Sequence, residues 1–152
     1  MGVRMSEEAA WEMITQAEQG VFVSLRRSGE PVALPVWFVV DDQQIYLRTP
    51  ARSKKVARIR ADDRISFLVQ DGRAWSQLRG VHLSGHARIA DDPQLEATVD
   101  QLMERKYAGL RTPASDRPAA TNEHYRERVL IQIVPTQILS WDNGLLRLGA
   151  AR

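Results

Sequence analysis

The stretch VFVSLRRSGEPVALPVWFVVDDQQIYLRT, residues 21–49, runs with a period of two. Val21, Val23 and Leu25 alternate with Phe22, Ser24 and Arg26. Val32, Leu34, Val36, Phe38 and Val40 share one side of a run in which Ala33, Pro35, Trp37 and Val39 face the other. Successive side chains of a strand point to opposite faces, so the pattern predicts strands at 21–26, 31–40 and 45–49. The turn residues agree: Ser28-Gly29-Glu30 and Asp41–Gln44 fall between the runs. Residues 21–49 therefore read as a three-stranded antiparallel meander.

Upstream, Ser6–Gln19 reads as an amphipathic helix. Ser6 is placed to cap it, Glu7 and Glu8 suit its first turn, and Ala10, Met13, Ile14 and Ala17 form one apolar face beside Trp11. Downstream, Val56 and Ile59 have the spacing of a short helix within 52–60. Strands are expected at 64–70 and 75–90, and glycines 80 and 85 in the second read as a bulge or bend. Asp92-Pro93 starts a helix whose buried face is Leu95, Val99, Leu102 and Met103. Residues 109–124 read as a long irregular segment, either a mobile cover or disordered. A strand at 128–134 is interrupted by Pro135, resumes at 138–141, and turns at Asp142-Asn143-Gly144 into 145–148. Consecutive hairpins with glycine bends favour a small, mainly β, antiparallel barrel with flanking helices.

The chain has 152 residues, the size of one domain, and 1–152 is read as such. It has no cysteine, which excludes disulfides, thiolate metal sites and cysteine nucleophiles. No apolar run reaches the ~18–20 residues of a membrane span, and Met1–Ser6 is too short and polar for a signal peptide. A cytoplasmic protein without membrane contact is expected. The net charge of +2 comes from acids and bases mixed along the chain, so nucleic acid is not the expected partner.

Thr49-Pro50-Ala51-Arg52-Ser53-Lys54-Lys55 carries the chemistry. A helix start offers unpaired N–H groups and a partial positive charge, so carboxylates are favoured there and cations are not. Arg52, Lys54 and Lys55 crowd that end instead. Two readings stand on these residues alone. One is a solvated basic patch with Ser53 as an ordinary cap. The other is an anion site in which a phosphate takes the helix N–H groups, the Ser53 hydroxyl and the cations together.

The order of motifs resembles the split β-barrel flavin and deazaflavin proteins, the group that includes pyridoxamine 5'-phosphate oxidase. Pro35-Val36-Trp37-Phe38 with Asp41-Asp42, Ile45–Thr49, Ser53-Lys54-Lys55, Asp62–Val69, Leu78-Arg79-Gly80-Val81 and Gly85-His86-Ala87 follow one another as the family's segments do, over roughly residues 10–90. The resemblance implies a six- to seven-stranded antiparallel split β-barrel of Greek-key type. It implies that Pro35, Val36 and Trp37 line the cofactor ring, and that Arg48 and Thr49 run along the ring and ribityl chain. Arg52, Ser53, Lys54 and Lys55 would hold the phosphate. Trp75, Gln77 and Arg79 would lie near the site on the fifth strand. It also implies a homodimer with the cofactor at the subunit interface.

Two departures shift the reading within the family. Gly80 stands where the vitamin B6 oxidases have a ring-contacting glutamine, and their C-terminal arginine and histidine pattern is absent from Leu148–Arg152. The lysine-rich motif and Leu78–Val81 are more similar to the branch using coenzyme F420, with FMN as the alternative. The implied activity is hydride transfer to a small unsaturated substrate. The alternatives are an FMN-dependent oxidoreductase or a non-catalytic flavin, deazaflavin or heme carrier. His82 and His86 stand four strand residues apart, about 13 Å, too far for one metal ion. Ser24 and Ser66 have no visible base, and no catalytic residue is assigned.

Overall fold

Ser6 caps the first helix as expected: its Oγ accepts from the Ala9 N–H at 3.1 Å. The helix, α1, is Glu7–Gln16 and buries Ala10, Trp11, Met13 and Ile14. It ends before Gln19 because the backbone turns extended at Ala17. The computed structural model describes residues 2–146. Seven strands follow: β1 (Gly20–Leu25), β2 (Pro31–Val36), β3 (Val39–Asp41), β4 (Gln44–Pro50), β5 (Arg64–Asp71), β6 (Arg79–Ala90) and β7 (Arg128–Asp142). The other helices are α2 (Lys54–Ala61), α3 (Pro93–Lys106) and α4 (Ala119–His124).

All pairings are antiparallel, in the order β2-β1-β5-β6-β7-β4-β3. β2 and β3 lie at opposite edges of the sheet, yet only Trp37 and Phe38 separate them. Three peptide steps reach at most about 11 Å, so the two edges must come together and the sheet curls. The fold is the mainly β split barrel that the resemblance implies.

The expected meander is corrected. Residues 31–40 are two strands, and β4 pairs with β7 as well as β3. The break has a cause far away in sequence. Tyr107, at the end of α3, is fully buried, and its hydroxyl accepts from the Phe38 N–H at 2.9 Å. Its one proton lies between the carbonyls of Glu18 (2.8 Å) and Phe38 (2.9 Å). Lys106 Nζ donates to the Phe38 carbonyl at 3.0 Å and lies 3.9 Å from the Phe38 ring centre. With both backbone groups of Phe38 taken, the strand cannot continue through it.

Inside the barrel, Ile14, Phe22, Phe38, Ile45, Phe67, Leu83, Ile131 and Ile133 form the main core. A second cluster under α3 holds Val39, Tyr46, Val99, Met103, Tyr107 and Leu130. Leu95 and Leu102 pack only partly against it.

Four further expectations change. Residues 75–77 form a 3-10 turn, so β6 starts at Arg79. Segment 109–124 contains a 3-10 turn at Ala114–Asp116 and the α4 helix. β7 runs through Pro135, because a register shift opposite Ser84 and Gly85 absorbs the extra residue. Of the strand expected at 145–148, Leu145 lies in a 3-10 turn at Asn143–Leu145, and 147–148 lie outside the described residues.

Candidate functional site

Ser53 folds the β4–α2 junction as its sequence position predicts. Its Oγ accepts from the Val56 N–H at 3.4 Å and lies 3.4 Å from Thr49 Oγ1. No acid occupies the first turn of α2. Lys55 is half-buried there, and burial, with Arg58 beside it, pushes its ammonium below the ordinary lysine range. A cation is thus held, partly desolvated, at the positive end of a helix. That arrangement favours a bound anion. Arg52 and Lys54 flank it on the exposed side.

A cavity of about 1020 Å³ opens against this junction. Pro35, Val36, Trp37, Arg48, Thr49 and Lys55 line it, six of the twelve residues expected at the site. Arg52, Ser53 and Lys54 are continuous with that wall but do not line it. Trp75, Gln77 and Arg79 are not part of its lining either. Trp75 is exposed, Gln77 Oε1 caps the Ala74 N–H at 3.2 Å, and Arg79 pairs with Asp71 at 2.9 Å.

Two of the cavity residues are already engaged. The ring of Trp37 stacks on Tyr107 with centres 4.2 Å apart, so one face is covered. Arg48 lies 3.0 Å from Asp100 and 3.7 Å from Glu96, both on α3, and its side chain is 10% exposed. Its charge is balanced by the chain rather than presented to a ring.

The sequence reading missed the far wall. Asp100, Met103 and Glu104 of α3 line the cavity, as do Leu110, Arg111, Arg117, Asn122, Tyr125 and Arg126 from the segment after it. Arg128 lines it too, opposite Pro50 in the β4–β7 ladder, which brings a further arginine to the Ser53 junction. The recurrence of arginine at 111, 117, 126 and 128 was the available signal.

Trp141 lies over Gly80: a Cβ there would stand 2.4 Å from the indole. The place of the family's ring-contacting glutamine is therefore sterically taken. His86 pairs with Asp63 at 3.1 Å, and among the described residues no group of side chains could hold a metal ion. No helix among them is long and apolar enough to cross a membrane.

The family model described as Pyridoxamine 5'-phosphate oxidase matches residues 6–142. No curated protein matches the sequence. Among solved structures, the conserved hypothetical protein Rv2991 from Mycobacterium tuberculosis is 28% identical, with a TM-score of 0.81 over 99% of this chain and 95% of its own. A structure described as F420 reductase matches at 20% identity and a TM-score of 0.65, over 88% of this chain and 98% of its own. The FAD binding protein from Mycobacterium smegmatis matches at 20% identity and 0.64, over 90% and 95%. The last two likenesses show the fold.

Proposed function

The chain belongs to the pyridoxamine 5'-phosphate oxidase family, and from that premise we propose that it is an oxidoreductase working with a bound flavin-type cofactor. The deazaflavin F420 is the first candidate and FMN the second. The observation that carries the reading is the half-buried Lys55 beside Ser53, at an α2 start that lacks an acid and opens into the cavity. The donor set fits a phosphate. Ser53 Oγ, the first α2 N–H groups, Lys55 and Arg128 offer donors and charge, and among the described residues neither Lys55 nor Arg128 pairs with a carboxylate within 4.0 Å.

When bound, such a cofactor supplies hydride or electron transfer. The protein's part is to bind and orient. The Thr49–Lys55 turn fixes the phosphate end, the Pro35–Trp37 edge forms a wall with Trp37 held flat by Tyr107, and Leu47 closes the apolar floor. A small unsaturated substrate would take the remaining volume. Because Trp75, Gln77 and Arg79 lie outside the cavity of one chain, the reading includes a homodimer in which a second chain completes the site.

Titration of the full chain with F420 and with FMN tests the proposal. One of them should bind, and Lys55→Ala should weaken it by about 1.5–3 kcal/mol, the cost of a charge-assisted contact. Unchanged affinity in Lys55→Ala would sink the phosphate assignment. Turnover of the reduced cofactor with a panel of unsaturated acceptors, compared with the rate in solution, separates an enzyme from a carrier.

A further inference from the structure

Arg58 is held in a way that its place on α2 does not require. The helix carries Lys54, Lys55, Arg58 and Arg60 and no acid. Arg58 and Arg60 stand in its last turn, where the helix dipole favours cations, and a cation left in water would serve it equally well. Arg60 is left in water, whereas Arg58 is half-buried. The Arg58 Nε donates at 2.8 Å to the hydroxyl of Ser24, a fully buried residue of β1.

This anchor fixes the guanidinium without neutralising it. Ser24 brings no charge, and among the described residues no carboxylate lies within 4.0 Å of Arg58. Its two terminal nitrogens make no hydrogen bond among those residues, and neither is shut off from solvent. They are the donors that a guanidinium offers to an anion arriving from outside.

Like charges stand on both sides of Arg58. Lys55 precedes it by three residues, a spacing that brings Cβ atoms within about 5–6 Å on a helix. On the other side lies Arg26, in the β1–β2 turn closed by the Arg26 N–H on the Glu30 carbonyl at 2.9 Å. Burial pushes both Lys55 and Arg58 below their ordinary ranges, and a neighbouring cation adds to each, Arg58 for Lys55 and Arg26 for Arg58. Arg26 has Glu30 at 3.7 Å, but both side chains are exposed and water screens the pair. From the cavity wall at Lys55 to the β1–β2 turn, three cations neighbour one another. Among the described residues the two half-buried ones have no counter-charge. The conflict seen at the start of α2 is thus repeated one turn further on, and an anion between these residues would relieve it.

We propose that Arg58, with Arg26 beside it, forms a second anion subsite that continues the Ser53–Lys55 phosphate site along α2, for a ligand bearing a further anionic group beyond its first phosphate. The proposal rests on the cofactor reading above and deepens it. Lys55 lines the cavity and Arg58 does not, so such a ligand leaves the cavity past Lys55 and carries its second charge over the outer side of α2. FMN ends at one phosphate and leaves Arg58 unmatched. FAD continues into a second phosphate and F420 into a tail of carboxylates, and either would meet it.

Inorganic phosphate and pyrophosphate, titrated calorimetrically into the full chain at fixed ionic strength, test the subsite without a cofactor. Wild type should bind pyrophosphate about tenfold or more tighter than phosphate, as one added charge-assisted contact requires. Arg58→Gln should lose most of that preference, Arg58→Lys should keep part of it, and Arg26→Gln should reduce it severalfold. Equal affinity of wild type for the two anions overturns the subsite, as does a preference that Arg58→Gln keeps. If Arg58→Gln fails to fold, Arg26→Gln, a change in an exposed turn, decides by the same criterion. Two cofactor pairs then identify the source of the second charge: FAD against FMN, and F420 against its form without the glutamate tail. The pair whose longer member binds more tightly to wild type, and loses that gain in Arg58→Gln, names it. If a cofactor binds and neither longer member gains, the subsite fails and the cofactor reading stands. If none of the four binds, the cofactor reading fails, and the ratio of the inorganic anions still decides the subsite.

Discussion

Gly80 and Gly85 both read from the sequence as bends in a long strand, and the structure separates their causes. At Gly85 a Cβ would stand 2.3 Å from the Val134 carbonyl oxygen and 3.0 Å from the Pro135 Cα, where β7 slips register. Backbone cannot move aside there. At Gly80 the obstacle is the far end of the half-buried Trp141 side chain rather than backbone. Gly85→Ala should therefore cost about 1–3 kcal/mol, the usual penalty of overpacking, and Gly80→Ala distinctly less. Urea unfolding of both variants checks the order, and an equal loss would refute this account of Gly80. The sequence announced that something special happens at both positions. It could not announce Trp141, which sits across the ladder and 61 positions along the chain. The same limit applied at Arg48. Its cationic character was plain, but its neutralisation by Asp100 and Glu96 depends on how α3 lies over β4.

At the scale of elements, the instructive case is the division of residues 31–40 into β2 and β3. The alternation of Val32 through Val40 is real, and it predicted one strand. What it could not contain is Tyr107, a partner 69 residues away that takes both backbone groups of Phe38. Helix caps, by contrast, were legible because their bonds are local: Ser6, Ser53 and Asp92 cap as read. The Lys106–Tyr107 pair gives the break a pH signature. Burial holds Lys106 down at about 8, below its ordinary 10.5, and pushes Tyr107 up to about 12 from 10.0. For Lys106 the unfolded chain binds more protons between pH 8 and 10.5, so stability rises with pH in that window. For Tyr107 the folded chain binds more protons between 10 and 12, so stability falls there. The urea midpoint of wild type should climb from pH 7.5 to 9.5, and Lys106→Met should climb less. Parallel profiles for the two proteins would show that Lys106 is not desolvated at the break.

On the scale of the whole molecule, one outer row of the sheet ties the barrel surface to the cavity. Pro35, Val21, Leu68, His82 and Leu139 are successive cross-strand neighbours on β2, β1, β5, β6 and β7. Pro35 lines the cavity at one end of the row, and Leu139 is 59% exposed at the other. The next row, Ala33, Val23, Ser66, Ser84 and Gln137, carries only short side chains before Gln137, so these two rows are low and hold no acid, lysine or arginine, with Arg64 and His86 lying beyond them. A second copy laid across these rows would bury the exposed leucine and reach the cavity wall at Pro35. The proposed homodimer should use this face. Sedimentation equilibrium should give a dimer for wild type, and Leu139→Glu should shift it toward monomer, since two facing carboxylates would be buried in a symmetric contact. Because the dimer is proposed to complete the site, cofactor affinity should fall with it, although Leu139 does not line the cavity. A monomeric wild type, or a Leu139→Glu monomer that binds cofactor as tightly as before, would show that one chain holds the whole site.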